Sequence, residues 1–210
     1  MSYKKYIKED FNDDSNKERL KYIKGFSEGI AHCNRNWAKR SGFYDTIREH
    51  NVKSILDVGC GDGSFCVDMH DVLGAERVYG LDIASVALGI TKEHQSVEYF
   101  DGEAKSLPLD DGAVEFISAF DVLEHVLPQD ADKVLEEFNR VCTRGLFLTV
   151  SHQLSGEIVD GSNMHMCVES PAWWKEKLSK YFKVEFLSQT KSNSGAAAES
   201  KILCTKKESS

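Results

Sequence analysis

An apolar run that leads straight into a glycine-rich turn constrains the fold of this chain more than any other feature. Residues 55–58 read Ile-Leu-Asp-Val, and glycines follow at three alternate positions, Gly59, Gly61 and Gly63. Glycine permits a tight strand-to-helix turn and lets the backbone come close to a ligand. A second apolar run, at 78–81, ends in Asp82. An acid about twenty residues after such a turn suits the paired hydroxyls of a ribose, so the sequence predicts a nucleoside-containing cofactor.

The charge of the turn separates the candidate cofactors. Its spacing is Gly-x-Gly-x-Gly, which differs from the Gly-x-Gly-x-x-Gly of a dinucleotide site, and no Gly-Lys-Ser/Thr of a phosphate-binding loop follows. Asp57 and Asp62 flank the glycines, and Asp82 and Glu103 are expected to join them. Carboxylates repel a pyrophosphate, which is held best by amides and positive charge. S-adenosylmethionine carries a sulfonium, an ammonium and no phosphate, so the acidic turn favours it.

Four segments, in the expected order, resemble the motifs of the class I S-adenosylmethionine-dependent methyltransferases. The matching segments are residues 55–65, residues 78–85, Glu103-Ala104 and residues 120–126, and residues 135–150 resemble the helix and strand that follow. The similarity covers roughly residues 52 to 150. The sequence departs from the family pattern where Glu103 replaces a frequent aspartate and where Arg144-Gly145 replaces two glycines.

The resemblance implies cofactor-binding roles for residues at or just past the predicted strand ends. They are Asp57, Gly59, Cys60, Gly61, Asp82, Ile83, Glu103, Ala104, Phe120 and Asp121. The glycine turn and the backbone at Phe120 and Asp121 would lie along the methionine part. Asp82 would accept the ribose hydroxyls, and Ile83 would pack on the adenine. Glu103 would accept from the adenine amino group, and the next backbone amide would reach a ring nitrogen. The product bound at this site would be S-adenosylhomocysteine.

Alternating strand and helix patterns predict the fold. Strands are predicted at 53–58, 77–82, 96–100, 114–119 and 144–150, helices near 63–73, 84–93 and 130–142, and two final strands at 182–188 and 200–205. Such alternation implies parallel strands joined by crossover helices. We therefore predict an α/β fold, a doubly wound, Rossmann-like sheet of seven mostly parallel strands, with helices on both faces and the last strand antiparallel. Ligands of such sheets bind outside the carboxyl ends of the strands.

Length and composition fit one domain, since 210 residues with 41% apolar side chains can bury a substantial core. We predict a flexible segment at 1–15, a methyltransferase domain at 16–206 with a helical cap at 16–50, and a disordered tail at 207–210. The helical pattern at 16–49 fits either a helix that covers the sheet or a cap that helps to select the substrate. Residues 151–169 are predicted to form an active-site loop, and residues 191–199 a mobile hairpin loop. Between them, Ser170 and Pro171 predict the start of a helix.

Charge and motif absences indicate the acceptor class. A net charge of -8 argues against a nucleic-acid substrate, because phosphate contacts require a basic face. The Asn/Asp-Pro-Pro-Tyr/Phe motif of base and glutamine N-methyltransferases is missing after the fourth strand, as is a Pro-Cys nucleophile. A small-molecule or glycan acceptor, methylated on oxygen, is therefore favoured. The segment from His165 to Phe182, which contains Trp173-Trp174, resembles the substrate-side helix of relatives that methylate sugars or lipid-linked acceptors, although paired tryptophans also occur as ordinary packing.

Histidines near the strand ends are the candidates for a catalytic base, because imidazole accepts a proton near neutral pH. His125 follows the fourth strand and His152 the fifth, and these two are our predicted catalytic residues; His165 lies in the long loop. Each also has a structural interpretation, as a capping or supporting residue for His125 and as an ordinary loop residue for the other two.

The run Asp121-x-x-Glu124-His125 resembles the Glu-x-x-Glu-His of ubiquinone-pathway O-methyltransferases, which use it with a divalent cation. Two carboxylates and an imidazole could hold Mg²⁺ or Zn²⁺. The segment Leu-Glu-His-Val is, however, widespread in relatives without a known metal, so our prediction contains no metal ligand.

Two other functions compete with catalysis of methyl transfer. One is a methyltransferase-fold protein that binds S-adenosylmethionine without turnover and acts as a partner or regulator. The other is a dinucleotide oxidoreductase, which the acidic turn disfavours. The six cysteines show no Cys-x-x-Cys pair and are interpreted as free thiols in a reducing compartment. With no signal-like segment and no run of about eighteen apolar residues, we predict a cytoplasmic protein without a membrane span.

Overall fold

The computed structural model describes residues 14–28, 42–84, 89, 91 and 93–207. The described α-helices are α1 (Asp14–Ser27), α2 (Phe43–Glu49), α3 (Ser64–Asp71), α4 (Ala131–Val141) and α5 (Pro171–Leu178). The strands are β1 (Ser54–Val58), β2 (Arg77–Asp82), β3 (Val97–Asp101), β4 (Val114–Phe120), β5 (Cys142–Ser151), β6 (Ile158–Val159), β7 (Ser162–Asn163), β8 (Phe182–Lys191) and β9 (Ala197–Lys206). Short 3-10 turns at Leu123–His125 and Pro128–Asp130 join β4 to α4.

Seven of these strands form one sheet in the order β3-β2-β1-β4-β5-β9-β8, and β6 and β7 form a separate hairpin. Strands β1 to β5 pair in parallel, whereas β9 runs antiparallel to both of its neighbours, β5 and β8. The predicted doubly wound sheet with an antiparallel last strand is confirmed. The strand order reverses between β1 and β4, and ligands of open α/β sheets bind at such a switch point. The glycine turn follows β1 at this position.

Alternating side chains of the central strands build an apolar cluster on each face of the sheet. Leu56 and Leu148 belong to the cluster that α4 and α5 cover, whereas Ile55 and Phe147 belong to the cluster under α2 and α3. All four side chains are fully buried. Burying one such side chain stabilises the fold by about 1.5–3 kcal/mol, so the two clusters hold the switch point rigidly.

The β5–β9 pairing depends on a glycine at the close approach of two backbones. A Cβ added at Gly145 would lie 2.0 Å from the carbonyl oxygen of Cys204 in β9. Any side chain at residue 145 would therefore collide with the backbone of β9, which accounts for the glycine that follows Arg144.

The hairpin of β8 and β9 is longer than predicted. The strands run to Lys191 and resume at Ala197, so the turn covers residues 192–196 and the predicted loop at 191–199 was wrong in extent. The outer half of β8 is exposed from Ser188 onward. These residues face solvent on an edge strand and are polar. The apolar pattern that predicts a strand therefore ended before the strand did.

The N-terminal helices occupy two different places. Helix α2 packs into the core through Phe43 and Ile47, which are 0% and 1% exposed. Helix α1 lies against the loops beyond the strand ends, where Lys21 Nζ donates to the carbonyl oxygen of Asn163 over 2.7 Å. Arg19 and Lys24 form ion pairs with Asp101 and Asp160. The Lys21 side chain is buried, and its hydrogen bond to Asn163 joins α1 to the β6–β7 hairpin.

Several predictions fall outside the described residues, namely most of the segments at 1–15 and 84–93, residues 29–41 of the proposed cap and residues 208–210 of the tail. The start predicted for α5 is confirmed, because Ser170 Oγ accepts from the amide of Trp173 over 3.2 Å. Within the described ranges, no helix combines the length and the apolarity that crossing a membrane requires.

Candidate functional site

The glycine turn folds over the carboxyl end of β2. The amides of Gly59 and Cys60 both donate to the carbonyl oxygen of Leu81, over 2.7 and 3.1 Å. The amide of Gly61 donates to Asp82 Oδ2 over 3.0 Å. The turn that follows β1 and the acid that ends β2 are therefore in direct contact, as the spacing between them suggested.

Gly59 is required by both the conformation and the surroundings of the turn. Its φ is +74°, in the left-handed region that side-chain-bearing residues rarely adopt. A Cβ at this position would lie 2.4 Å from Cγ2 of Val122, which follows β4. The first glycine thus lets the turn after β1 meet the loop after β4 at the switch point.

Asp82 has the geometry of a hydroxyl acceptor. It is 6% exposed, and its Oδ1 accepts from the amide of Ala84 over 2.9 Å, while Oδ2 accepts from Gly61. An ionised carboxylate offers about four lone-pair directions, which suits the role of hydroxyl acceptor that the resemblance implies for Asp82. Ile83, the residue predicted to pack on adenine, is half-buried next to it.

Asp57 lies beneath the turn, within β1. It is 4% exposed, and Ser118 Oγ of β4 donates to its Oδ1 over 2.7 Å. Burial raises the pKa of Asp57 to about 7, against the opposing effect of the Ser118 hydrogen bond. The side chain of Asp57 therefore titrates near neutral pH. Its hydrogen bond with Ser118 joins β1 to β4 directly beneath the glycine turn.

Asp121 is held in a rare conformation at the end of β4. Its φ is +53°, which is uncommon for a residue other than glycine. Thr149 Oγ1 accepts from the Asp121 amide and donates to Asp121 Oδ1, both over 2.9 Å. This double hydrogen bond from β5 fixes the backbone expected to lie near the methionine part of a cofactor.

Phe120 and the adenine-side residues complete the predicted set. The ring of Phe120 packs on Phe43 and Phe65 in the core, with centroids 5.1 and 5.3 Å away, so only its backbone faces the switch point. Glu103 Oε2 lies 3.3 Å from Lys105 Nζ, and its side chain is 27% exposed. Ala104 packs against the core beside it.

His152 is engaged on both sides of its ring. Its Nδ1 donates to the carbonyl oxygen of Glu169 over 2.7 Å, and its Nε2 lies 2.8 Å from Ser200 Oγ. A carbonyl can only accept, so Nδ1 carries the proton and Nε2 accepts from the serine hydroxyl. Burial lowers the pKa of His152 below its ordinary value, against the opposing effect of the hydrogen bond to Glu169. These contacts give His152 a role in tying the loop after β5 to β9, and they leave it no lone pair for a substrate.

His125 keeps one ring nitrogen available. Its Nδ1 donates to the carbonyl oxygen of Met164 over 2.9 Å, and no residue in the described part of the chain bonds its Nε2. The ring meets Tyr22 of α1 and His165 edge to face, with centroids 5.7 and 4.7 Å away. Burial lowers the pKa of His125 to about 4, with the nearby His165 as a second cause, so the imidazole is neutral at physiological pH.

Glu124, beside His125, is a fully buried carboxyl group. Its Oε1 accepts from the amide of Ser151 over 2.9 Å, whereas its Oε2 has no hydrogen-bond partner among the described residues. Burial raises the pKa of Glu124 well above its ordinary value, and the charges of Asp121 and Glu199 raise it further. The ligand atoms of Glu124, His125 and His165 lie within 4.8 Å of one another, so these three side chains could hold a metal ion.

Sequence reasoning missed the residues that support the site from neighbouring strands. Ser118 bonds Asp57, and Thr149 holds Asp121, yet neither was a candidate. Both are fully buried polar residues within otherwise apolar strands. A polar residue at a position that periodicity assigns to the core is the signal that could have identified them, because buried polar groups require partners.

The chain is similar to known methyltransferases. Residues 55–145 match a protein family described as methyltransferase domain. The chain is 29% identical over 116 residues to norajmaline N-methyltransferase of Rauvolfia serpentina, covering 48% of this chain and 37% of that protein. It is 35% identical over 98 residues to ubiquinone biosynthesis O-methyltransferase of Paraburkholderia xenovorans, covering 44% and 41%. It thus spans about two-fifths of the length of each of these relatives.

The fold similarity extends over nearly the whole chain. Magnesium protoporphyrin IX methyltransferase from Synechocystis PCC 6803, solved with bound SAH, superposes with a TM-score of 0.64 at 16% identity. That alignment covers 93% of this chain and 100% of the other. PH0226 protein from Pyrococcus horikoshii OT3 gives a TM-score of 0.63 at 18% identity, covering 85% and 95%. Together with the glycine turn, its contact with Asp82 and the strand order, these similarities identify a methyltransferase domain at residues 55–145, within the fold of the class I S-adenosylmethionine-dependent methyltransferases.

Proposed function

We propose that this protein transfers the methyl group of S-adenosylmethionine to a hydroxyl oxygen of a small-molecule or glycan acceptor. The observation that carries the proposal is the direct contact between the glycine turn and the Asp82 carboxylate at the switch point of the sheet. Residues 57–63 contain two acids and no Lys or Arg, which suits a cationic cofactor and disfavours a pyrophosphate.

Each residue of the predicted site is assigned to one part of the cofactor. Asp82 receives the ribose hydroxyls, and the glycine turn with the backbone at Asp121 receives the methionine part. Glu103 and the Ala104 amide receive the adenine edge. When bound, S-adenosylmethionine supplies an activated methyl group, so the protein's contribution is to position the nucleophile in line and to keep water out.

The acceptor class follows from the relatives and from the charge of the chain. The two relatives named above carry out N- and O-methylation, and neither name describes a nucleic-acid substrate. The net charge of -8 supports the same choice. Oxygen is proposed as the methylated atom because a neutral imidazole, His125, has its Nε2 available to receive a hydrogen bond from an acceptor hydroxyl.

The direct test is turnover of S-adenosylmethionine with a labelled methyl group against a panel of small alcohols, phenols, amines and sugars. We expect label transfer to at least one hydroxylated acceptor. His125→Ala should retain cofactor binding and lose most of the turnover, whereas His94→Ala, in the connection between β2 and β3, should retain both. Transfer only to amines would overturn the oxygen assignment, and cofactor binding without any transfer would favour the non-catalytic alternative.

A further inference from the structure

We propose that the acceptor carries a protonated amine and that Glu124 and Glu199 bind this ammonium group beside the place of methyl transfer. The proposal deepens the proposed function and rests on it, because it names the class of acceptor. That class is a hydroxylated amine, such as an amino sugar or a phenol with an aminoalkyl chain. Glu124 lies in the 3-10 turn after β4, and Glu199 lies in β9. A third carboxyl group, that of Asp121 at the end of β4, adds its charge.

The end of β5 brings these carboxyl groups together. Ser151, the last residue of the strand, donates its amide to Glu124 Oε1 over 2.9 Å and pairs with Glu199 of β9. Residues directly opposite each other in an antiparallel pair have side chains on one face, with Cβ atoms about 4.5–5.5 Å apart. Thr149, earlier in β5, donates to Asp121 Oδ1 over 2.9 Å. Because the backbone at Asp121 is expected along the methionine part of the cofactor, the carboxyl groups lie next to the transferred methyl group.

Glu124 has an oxygen that requires a partner. Its side chain is fully buried, and its Oε2 has no hydrogen-bond partner among the described residues. A carboxylate oxygen of Glu124 also lies within 4.8 Å of a ring nitrogen of His125 and of His165. The carboxyl group is therefore directed toward the side where an acceptor hydroxyl would meet His125 Nε2. A buried polar atom without a partner costs free energy, so Oε2 calls for a donor that a ligand could supply.

Glu124 and Glu199 have no cation among the described residues to balance them. Burial raises the pKa of Glu199, and the charge of Asp121 raises it further. Burial and the charges of Asp121 and Glu199 raise the pKa of Glu124 in the same way. A positive charge within about 4–6 Å favours the ionised form of a carboxyl group. A bound ammonium ion would therefore lower both pKa values and form charge-assisted hydrogen bonds with both groups.

Two lysines of the surrounding elements are engaged elsewhere. Lys201 follows Glu199 in β9, and its Nζ lies over the ring of Phe43, 4.2 Å from the centroid. Lys21 Nζ donates to the carbonyl oxygen of Asn163 over 2.7 Å. The net charge of -8 adds a field that attracts a cationic acceptor. The described surroundings thus favour a cation that is supplied by a ligand.

Binding of the amine as an ammonium ion would also decide which atom is methylated. A protonated nitrogen has no lone pair and is not a nucleophile, whereas a hydroxyl group of the same molecule could lie against His125 Nε2. The cofactor has an ammonium group of its own, which is a competing occupant of the site. The binding test is therefore made with the cofactor site filled.

The test compares acceptors that differ mainly in the ammonium group: tyramine with 4-ethylphenol, and glucosamine with glucose. Labelled methyl transfer to each is measured in the presence of EDTA, so that no divalent cation interacts with Glu124. We expect kcat/KM to be at least about tenfold higher for the amine of at least one pair, with the label on oxygen. A hydrogen bond to a charged group contributes enough free energy for such a preference.

Glu199→Gln should abolish most of this preference, and Glu124→Gln, which retains an oxygen for the Ser151 amide, should have the same effect. Glu185→Gln is the matched control, because Glu185 is exposed on the neighbouring strand β8, and it should keep the preference of the wild type. Circular dichroism checks the fold of each variant. A wild-type ratio below about threefold in both pairs, or an undiminished ratio in Glu199→Gln, would overturn the ammonium site.

Calorimetry separates this proposal from the proposed function. The same pairs are titrated into the full chain saturated with S-adenosylhomocysteine, which requires no turnover. Binding of an amine at least about tenfold tighter than its neutral counterpart, and lost in Glu199→Gln, would support the ammonium site even if no acceptor were methylated; the absence of methylation would count against the proposed function alone. Equal affinities within both pairs, or amine binding only to the protein without S-adenosylhomocysteine, would overturn the ammonium site and leave methyl transfer standing.

Discussion

The two sides of the switch point are built in different ways. On the cofactor side, the glycine turn is fixed by backbone amides that bond Leu81 and Asp82, the last two residues of β2. On the opposite side, His125 and His165 are each held by one hydrogen bond to a loop carbonyl. The first arrangement depends on main-chain geometry that glycine allows, and the second depends on side chains from segments distant in sequence.

This difference suggests how the family varies its chemistry. A site made of backbone amides and one acid depends mainly on main-chain geometry at the carboxyl ends of the strands. A site made of loop side chains changes with each substitution or insertion, because loops tolerate both. We therefore expect changes at the turn to affect stability and cofactor affinity, and changes at the histidines to affect the use of the acceptor.

The largest expected effect is at the turn itself. Gly59→Ala combines left-handed backbone strain with a contact of 2.4 Å to Val122, and should destabilise the fold by about 2–5 kcal/mol. Gly74 is the matched control, since its φ is also +74° but nothing lies within 4 Å of an added Cβ. Gly74→Ala should cost only the strain, about 1–2 kcal/mol. Equal losses of unfolding free energy in urea for the two variants would show that the Val122 contact does not matter.

A smaller loss is expected on the loop side. His152→Ala removes the hydrogen bonds to Glu169 and Ser200 and leaves the buried Ser200 hydroxyl group without its acceptor. The loss should cost about 1–3 kcal/mol of stability. Cofactor affinity should stay unchanged. A double-mutant cycle with Ser200→Ala measures the interaction free energy between the two side chains. The double variant should be only slightly less stable than His152→Ala alone. Strictly additive losses of stability in the two single variants would show that the side chains do not interact. Loss of turnover without loss of stability in His152→Ala would restore His152 as a catalytic residue.

Asp82→Asn should weaken S-adenosylhomocysteine binding by roughly tenfold or more, which corresponds to about 1.4 kcal/mol. The amide keeps one acceptor oxygen but loses the charge and the second acceptor that the Gly61 and Ala84 amides and a ribose diol require. Calorimetric titration at constant pH measures the change. Asp62→Asn serves as a charge control at the same turn, and an equal loss there would mean that net charge, and not the diol contact, sets the affinity.

The stability of the protein should also depend on pH through Asp57. Its pKa is raised from 3.8 to about 7 by burial, so the folded state keeps a proton that the unfolded state loses. Stability from this group is therefore full below about pH 4, falls as the pH rises to about 7, and then levels off. The slope is at most about 1.4 kcal/mol per pH unit. Asp57→Asn should remove it in urea unfolding measured from pH 4 to 8, and an unchanged slope would refute the assignment.

The sequence predicted the parts of the molecule that local patterns determine. The doubly wound, mostly parallel sheet needed only alternating segments and the rule for crossover connections, and the glycine turn needed only the φ preference of its residues. The proximity of His125 and His165 was not predictable, because loop closure over forty residues leaves no periodic signal. The roles of Thr149 and Ser118 were missed for a related reason, since a hydrogen bond between strands depends on register, which composition does not encode.

The most direct test of the account is calorimetric titration of the protein with S-adenosylhomocysteine and, separately, with NAD⁺. The account predicts saturable one-to-one binding of S-adenosylhomocysteine, weakened by Asp82→Asn, and no measurable heat from the dinucleotide, because the carboxylates of Asp62 and Asp82 at the turn oppose a pyrophosphate. Binding of NAD⁺ in preference to the nucleoside, or no binding of S-adenosylhomocysteine by the folded protein, would contradict it.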